Sequence, residues 1–155
     1  MNADRVGRGP IPPGVWRLNP ERSRLLSPKA MTLWIIENGE EGLLWVAVET
    51  NPEGVTHVLT WRGRYGGPPA PVVGAGVEAR LTCPVNEGIR TEGEFTGIGT
   101  FVEHCTLESD GKRMVCRGEV KTNDGIRTYL EDFEWQGESP HPDAQARRSM
   151  WHGGV

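Results

Sequence analysis

Apolar and polar residues alternate along short stretches of this chain, and most stretches end at a glycine, proline or asparagine. Alternation with a period of two is typical of strands with one buried face, and no long stretch has the 3.6-residue period of a helix. Turn sequences such as Asn38-Gly39 and Asp110-Gly111 separate the stretches. The pattern predicts strands at residues 14–18, 31–37, 43–50, 55–63, 77–82, 93–108, 113–121 and 126–136.

Regularly spaced strands joined by hairpins indicate an antiparallel meander, either a closed barrel or a sandwich. We expect an all-β, up-and-down barrel of about eight strands, formed by residues 1–138 as a single domain, because closure removes exposed strand edges. The Pro- and Gly-rich segment 66–76 is predicted to be a long loop at one barrel mouth. Residues 139–155 are predicted to be a C-terminal tail, with a possible short helix from Pro142 to Trp151.

Several motifs resemble those of small bacterial lipocalin-like (calycin-type) proteins, over roughly residues 13–136. The resemblance implies an eight-stranded barrel with Trp16 at its closed end. Many such relatives have no assigned activity, so the resemblance implies a fold more than a function. The motifs are Gly14-x-Trp16-x-Leu18-Asn19-Pro20-x-x-Ser23, Tyr65-x-Gly67 with Pro71-Val72-x-Gly74, and Asp110-Gly111-Lys112.

Composition excludes some classes of partner. The 155 residues carry a net charge of −4 and the pI is about 5.6, which argues against nucleic acid and against an anionic membrane surface. The longest apolar run, 43–48, is too short to span a bilayer. Because the first eight residues also lack the apolar stretch of a signal peptide, we expect a cytoplasmic protein.

The chain has three cysteines, an odd number that makes a poor disulfide framework. Counting from a two-residue Asp110-Gly111 turn, Cys105 and Cys116 form a hydrogen-bonded cross-strand pair, whose wider separation does not suit a bridge. We therefore predict buried free thiols. No Cys-x-x-Cys or His-x-x-x-His spacing occurs, so no metal site is predicted.

Glu103 is a carboxylate on a strand face that is otherwise apolar. With Asp110-Gly111 as the turn, Glu103 faces Gly118, a residue without a side chain, and this suggests a cavity. The alternatives are a structural ion pair with Arg127, or a bulge that turns the carboxylate outward.

The last strand is predicted to turn its odd-numbered residues inward, whichever two residues of 123–125 form the turn. Glu131 would lie across from Gly118 if Asp124-Gly125 is the turn; the alternative is a solvated or salt-bridged carboxylate. The other inward residues of this strand are Arg127, Tyr129, Phe133 and Trp135. In strand 93–108, the residues Phe95, Gly97, Gly99 and Phe101 share the inner face with Glu103.

In the middle of the chain, a four-residue loop at 51–54 pairs Val48 with His57, and this register turns His57 inward. His57 is also compatible with a core imidazole of purely structural role. Trp34 and Trp45 would lie outside, and because such a pair is a costly apolar patch we predict a homodimer through it. The inner residues would be Met31, Leu33, Ile35, Leu44, Val46, Val48, His57, Leu59 and Trp61.

Three functions are compatible with this interior. The first is a cofactor-independent acid/base enzyme (isomerase, lyase, hydratase or cyclase type) acting on a small hydrophobic or aromatic molecule. The second is a non-catalytic, lipocalin-type binding protein for a hydrophobic ligand, and the third is a self-associating structural barrel with a filled interior. The predicted catalytic residues are Glu103, His57 and Glu131. The predicted substrate-binding residues are Trp61, Phe101, Cys116, Arg127, Tyr129, Phe133 and Trp135, and no cofactor is expected.

Overall fold

The described part of the chain consists mainly of β-strands, which confirms the predicted all-β class. The computed structural model describes residues 11–39, 42–75, 79–82 and 89–138. The strands in these ranges are β1 (Gly14–Leu18), β2 (Met31–Asn38), β3 (Gly42–Thr50), β4 (Thr56–Arg64), β5 (Ala70–Val73), β6 (Ala79–Thr82), β7 (Ile89–Phe95), β8 (Gly99–Leu107), β9 (Arg113–Thr122) and β10 (Gly125–Gly137).

The strands form one antiparallel sheet that curls into a barrel. Each strand pairs with its neighbours along the chain, and β1 also pairs with β10, so the ring of strands closes. Six of the predicted strands match β1–β4, β9 and β10 to within one residue at each end. The described ranges contain ten strands rather than about eight.

Two additional strands account for the difference. The segment predicted as a loop at 66–76 contains β5, which pairs with β4 and β6. The single strand predicted at 93–108 is two strands, β7 and β8, because the chain turns at Gly97, where φ is +77° and the N–H of Ile98 donates to the carbonyl of Phe95 at 2.9 Å. Gly97 therefore lies at a hairpin tip and not, as was predicted, on the inner face of a strand.

The predicted inner face of β2 and β3 is wrong. Trp34 and Ile36 on β2, and Leu43 and Ala47 on β3, are buried, whereas the residues predicted to face inward are only partly buried. Both faces of these strands carry apolar residues, so alternation does not identify the buried one. The loop after β3 has five residues instead of the predicted four, since Thr50 pairs with Thr56. The extra residue changes which residues of β3 share a face with the inward residues of β4.

Trp16 is completely buried in the barrel core, as the first strand's motif predicted. Its indole N–H donates to the carbonyl oxygen of Pro12 at 3.0 Å, so the buried ring leaves no polar atom unpaired. Phe133 and Met114 are buried in the same cluster. The cluster also includes buried residues of β2, β3, β4, β7 and β8, so the core lies along the inside of the barrel.

The predicted C-terminal tail at 139–155, including the possible helix from Pro142 to Trp151, lies outside the described residues. The same is true of residues 1–10 and of Cys83. Among the residues that the structure describes, no helix has the length and apolar character needed to cross a membrane.

Candidate functional site

The barrel contains a cavity of about 260 Å³. One arc of its lining comes from β2, β3 and β4, and another from β8 and β10. We call these the aromatic wall (Trp34, Trp45, Trp61) and the acidic wall (Glu103, Tyr129, Glu131). Since small-molecule sites usually measure about 300–1,000 Å³, this cavity is suited to a small ligand.

Two of the three tryptophans of the aromatic wall, Trp34 and Trp45, were predicted to lie on the outside of the barrel. Trp34 is 6% exposed, and its ring centroid lies 5.6 Å from that of Trp45, edge to face. Phe133 packs on Trp34 with a centroid distance of 4.1 Å. The prediction of an outward Trp34–Trp45 surface is therefore wrong. The homodimer stays a prediction, but it has lost the surface that motivated it.

Glu103 lies directly opposite Gly118, as the β8–β9 hairpin predicted, and it lines the cavity. The space above Gly118 is filled, however, because a Cβ at that position would lie 2.0 Å from Cζ of Tyr129. Tyr129 faces Gly118 from β10, and its hydroxyl donates to Oε1 of Glu103 at 2.9 Å. Glycine at position 118 thus allows Tyr129 to reach Glu103, instead of leaving a void.

The surroundings of Glu103 favour its neutral form. Burial raises its pKa to about 8, and the negative charge of Glu131 acts in the same direction. The hydrogen bond from Tyr129 and the positive charge of Lys29 lower this pKa, but they do not outweigh burial. Burial and the charge of Glu103 also raise the pKa of Tyr129, so the phenol keeps its proton and acts as a donor.

Glu131 is the second carboxylate of the acidic wall. It lies opposite Cys116, not Gly118, because the β9–β10 turn is Asn123-Asp124. Its inward orientation agrees with the prediction: the residue is 8% exposed and lines the cavity. In the described part of the chain, Glu131 has no hydrogen bond or ion pair. Burial raises its pKa to about 7; Lys29 opposes this shift and Glu49 adds to it.

An ion pair between Lys29 and Glu49 also lines the cavity, and the sequence analysis did not identify it. Nζ of Lys29 lies 2.9 Å from Oε1 of Glu49, and both side chains are largely buried. Lys29 belongs to the connection between β1 and β2, where no pattern marked it. Glu49 carries the same signal as Glu103, a carboxylate on the inner parity of a strand, but this signal was missed because the predicted face of β3 was reversed.

Two predicted site residues do not belong to the cavity. Arg127 is exposed, and its Nη2 donates to the carbonyl of Leu26 at 3.1 Å, so it is not the partner of Glu103. His57 lies near the start of β4, opposite Glu49, and is exposed. The inner parity of His57 was correct, but at the end of the barrel solvent reaches the side chain.

The predicted binding residues fall into two groups. Trp61, Phe101 and Tyr129 line the cavity. Phe133 is fully buried behind Trp34, and the indole of Trp135 donates to the carbonyl of Pro13 at 3.1 Å, so both serve the core and the barrel end. Neither contributes to the lining.

Cys105 and Cys116 are joined by a disulfide, which contradicts the prediction of free thiols. Their Cα atoms are 4.0 Å apart, the separation of a non-hydrogen-bonded pair. The turn explains the error: Glu108 N donates to Arg113 O at 2.8 Å, which closes a four-residue loop at 109–112 and shifts the hydrogen-bonding phase by one residue. Cys105 lines the cavity, whereas Cys116 is buried behind it.

The bridge also decides what the neighbouring donor atoms can bind. One oxygen of Glu103 and the sulfurs of Cys105 and Cys116 lie within 4.8 Å of one another. Metal ions bind thiolates, and sulfurs joined to each other are not thiolates. In the oxidised protein this group therefore supplies one carboxylate beside a disulfide.

No protein-family model, curated protein or solved structure matches this chain.

Proposed function

We propose that the barrel binds a small, largely apolar molecule in its cavity and exchanges a proton with it through Glu103 and Glu131. The observation that carries this proposal is a pair of carboxylates that face one cavity, Glu131 buried and Glu103 partly buried, with pKa values raised to about 7 and about 8. General acid/base catalysis works best when the pKa of the catalytic group is close to the working pH. Two such groups in one site suit isomerase, lyase, hydratase or cyclase chemistry that needs no cofactor.

The roles follow from the contacts. Glu131 accepts no hydrogen bond from any residue in the described part of the chain, so its carboxylate oxygens are free to take a proton from the ligand and it is the better base. Glu103 is held in place by the Tyr129 hydroxyl at 2.9 Å, and burial raises its pKa, so it keeps a proton that it can donate and is the better acid. This reverses the sequence-based expectation that Glu103 is the base, and it leaves exposed His57 without a role.

A non-catalytic ligand-binding protein is the second candidate. It is favoured by the apolar lining, since three tryptophans and Phe101 line the cavity and would hold an apolar molecule without any chemistry. The resemblance to lipocalin-like proteins supports the same proposal. It rests on Gly14-x-Trp16 at the start of β1 and on the sequential antiparallel strand order.

The experiment that tests the enzyme begins with ligands found by tryptophan quenching in a panel of small apolar carbon acids. Each bound ligand is then kept in D2O, and incorporation of deuterium at its acidic carbon is followed by NMR. We expect Glu131→Gln to reduce exchange by about 10²-fold or more while binding of an uncharged carbon acid is retained, the usual effect of losing a general base. Glu94→Gln, on an exposed position of β7, is the matched control. Binding without exchange in the wild type would leave the carrier as the function.

A further inference from the structure

The charges that line the cavity are unbalanced. Glu49, Glu103 and Glu131 contribute three carboxylates, while Lys29 contributes one ammonium. Lys29 is bound to Glu49 at 2.9 Å. In the described part of the chain, neither acid of the acidic wall makes an ion pair.

Glu131 is the carboxylate of this cavity that a bound cation would stabilise most. It is more than nine-tenths buried and faces the cavity without a hydrogen-bond partner among the described residues. A buried carboxylate in that state must either hold a proton or meet a cation, because a charged and unpaired carboxylate is strongly unfavourable away from water. Among the described residues no cation is paired with it, since Lys29 lowers its pKa but is bound to Glu49, so a ligand that carries a cation would stabilise the ionised form of Glu131.

The aromatic wall suits an organic cation. The electron-rich faces of tryptophans attract positive charge, and their rings also pack against the apolar part of a small ligand. Trp34, Trp45 and Trp61 all line the cavity that Glu131 faces. One molecule can therefore satisfy both walls if it carries an apolar body and a single positive nitrogen.

We infer that the ligand of this cavity is a small aromatic or aliphatic amine, whose ammonium group binds Glu131 and whose apolar part packs against the tryptophans. This inference rests on the proposed function, since it names the class of molecule that the cavity binds. It excludes simple hydrocarbons, which would leave Glu131 unpaired, and organic acids, which would be repelled by it.

The protonation of Glu131 determines whether the affinity for an amine rises or falls with pH. Near neutral pH a free amine in water is protonated, and Glu131 holds its proton for part of the time. Binding the ammonium ion favours the ionised carboxylate, so Glu131 releases its proton to solvent when the pair forms. Affinity for an amine should therefore rise with pH. The other titratable groups facing this site are Glu103, Tyr129, Glu49 and Lys29.

The test uses two probes of nearly the same shape, 2-phenylethylamine and 2-phenylethanol, with toluene as the purely apolar reference. Affinities are measured by tryptophan quenching and calorimetry from about pH 6 to about pH 8.5, where the amine stays protonated. We expect the amine to bind about tenfold more tightly than the alcohol at the upper pH, a difference of about 1.4 kcal/mol. We also expect its affinity to rise with pH and calorimetry to detect proton release.

Glu131→Gln should reduce the amine's advantage over the alcohol to about twofold, and Glu94→Gln should leave that advantage at about tenfold. Alcohol binding equal to or tighter than amine binding, or amine affinity that falls with pH, would overturn the inference. The wild-type pH series distinguishes these outcomes even if a variant folds poorly. If toluene or the alcohol binds and the amine does not, the inference fails and the proposed function stands. If none of the three binds, both fail.

Discussion

The aromatic and acidic walls enclose the same cavity, but they contribute to stability in opposite directions. Burying Trp34 and Trp61 removes large apolar surfaces from water, which stabilises the folded state. Burying Glu103 and Glu131 removes carboxylates from water, which costs free energy whenever they are ionised. A barrel selected for stability alone would carry apolar residues at both positions. The acidic wall is therefore the part of the interior that indicates function.

The acidic wall also has a covalent support that the aromatic wall lacks. Cys105 lies two positions from Glu103 on β8, and Cys116 lies opposite Glu131. Their disulfide fixes β8 against β9 beside both carboxylates. Disulfides persist mainly in oxidising compartments, so this bridge argues against the predicted cytoplasmic location. The location itself stays a prediction.

The largest expected effect belongs to the aromatic wall. Trp34→Ala should lower the free energy of unfolding by about 3–5 kcal/mol, because it removes a buried ring that packs on both Trp45 and Phe133. Urea unfolding followed by circular dichroism measures this loss. Glu131→Gln, the matched change on the acidic wall, should cost nothing at about pH 8, where the wild-type carboxylate is ionised. Similar losses in the two variants would contradict the contrast between the walls.

The disulfide should have the next largest effect. Replacing both Cys105 and Cys116 with alanine should cost about 2–4 kcal/mol, the usual contribution of a bridge that closes a short loop. Urea unfolding of this double variant, compared with the wild type in the absence of reductant, gives the value. The expectation is wrong if alkylation of the untreated, denatured wild type modifies both cysteines.

The acidic wall was largely predictable from the sequence, and the reason is local. Glu103 and Gly118 are joined by a short hairpin, and every neighbour on the outer face of β8 is polar or exposed, so alternation identifies the inner face. What could not be predicted was the length of the turn at 109–112. The turn length determines whether Cys105 and Cys116 form a hydrogen-bonded or a non-hydrogen-bonded pair. Only the closer, non-hydrogen-bonded pair suits a disulfide.

The aromatic wall could not be predicted in the same way. Residues 33–36 and 43–48 are almost continuously apolar, so either face of β2 or β3 could be the buried one. A single extra residue in the loop after β3 then reversed the deduced face, together with the position of Glu49. The contact of Tyr129 with Glu103 across Gly118 was also missed, because it depends on which two residues form the β9–β10 turn.

A smaller effect is expected from pH. The pKa of Glu103 is raised from 4.5 to about 8, so between these values the folded protein holds more protons than the unfolded chain. This contribution to stability is complete below about pH 4.5 and is lost as pH rises through about 8. We expect a loss of roughly 2 kcal/mol between pH 5 and pH 8.5, allowing for solvent in the cavity.

The measurement is the difference between wild type and Glu103→Gln in urea unfolding at each pH. The glutamine variant has no proton to lose there, so it should become the more stable protein as pH rises. Glu94→Gln, with an exposed side chain on β7, should follow the wild type throughout. A difference that is constant with pH would show that Glu103 is not the group responsible.

The smallest expected effect concerns the hydrogen bond within the acidic wall. Tyr129→Phe removes the hydroxyl that donates to Oε1 of Glu103 at 2.9 Å. This hydrogen bond stabilises the ionised carboxylate, so its loss should raise the pKa of Glu103 by roughly one unit and cost about 1 kcal/mol of stability. Carboxyl-carbon NMR titration measures the shift. Tyr65→Phe is the control, because its hydroxyl donates instead to Asn38 at 2.7 Å and should leave Glu103 unchanged. If the pKa of Glu103 falls in Tyr129→Phe, water has entered the space left by the hydroxyl, and the acidic wall is solvated rather than buried.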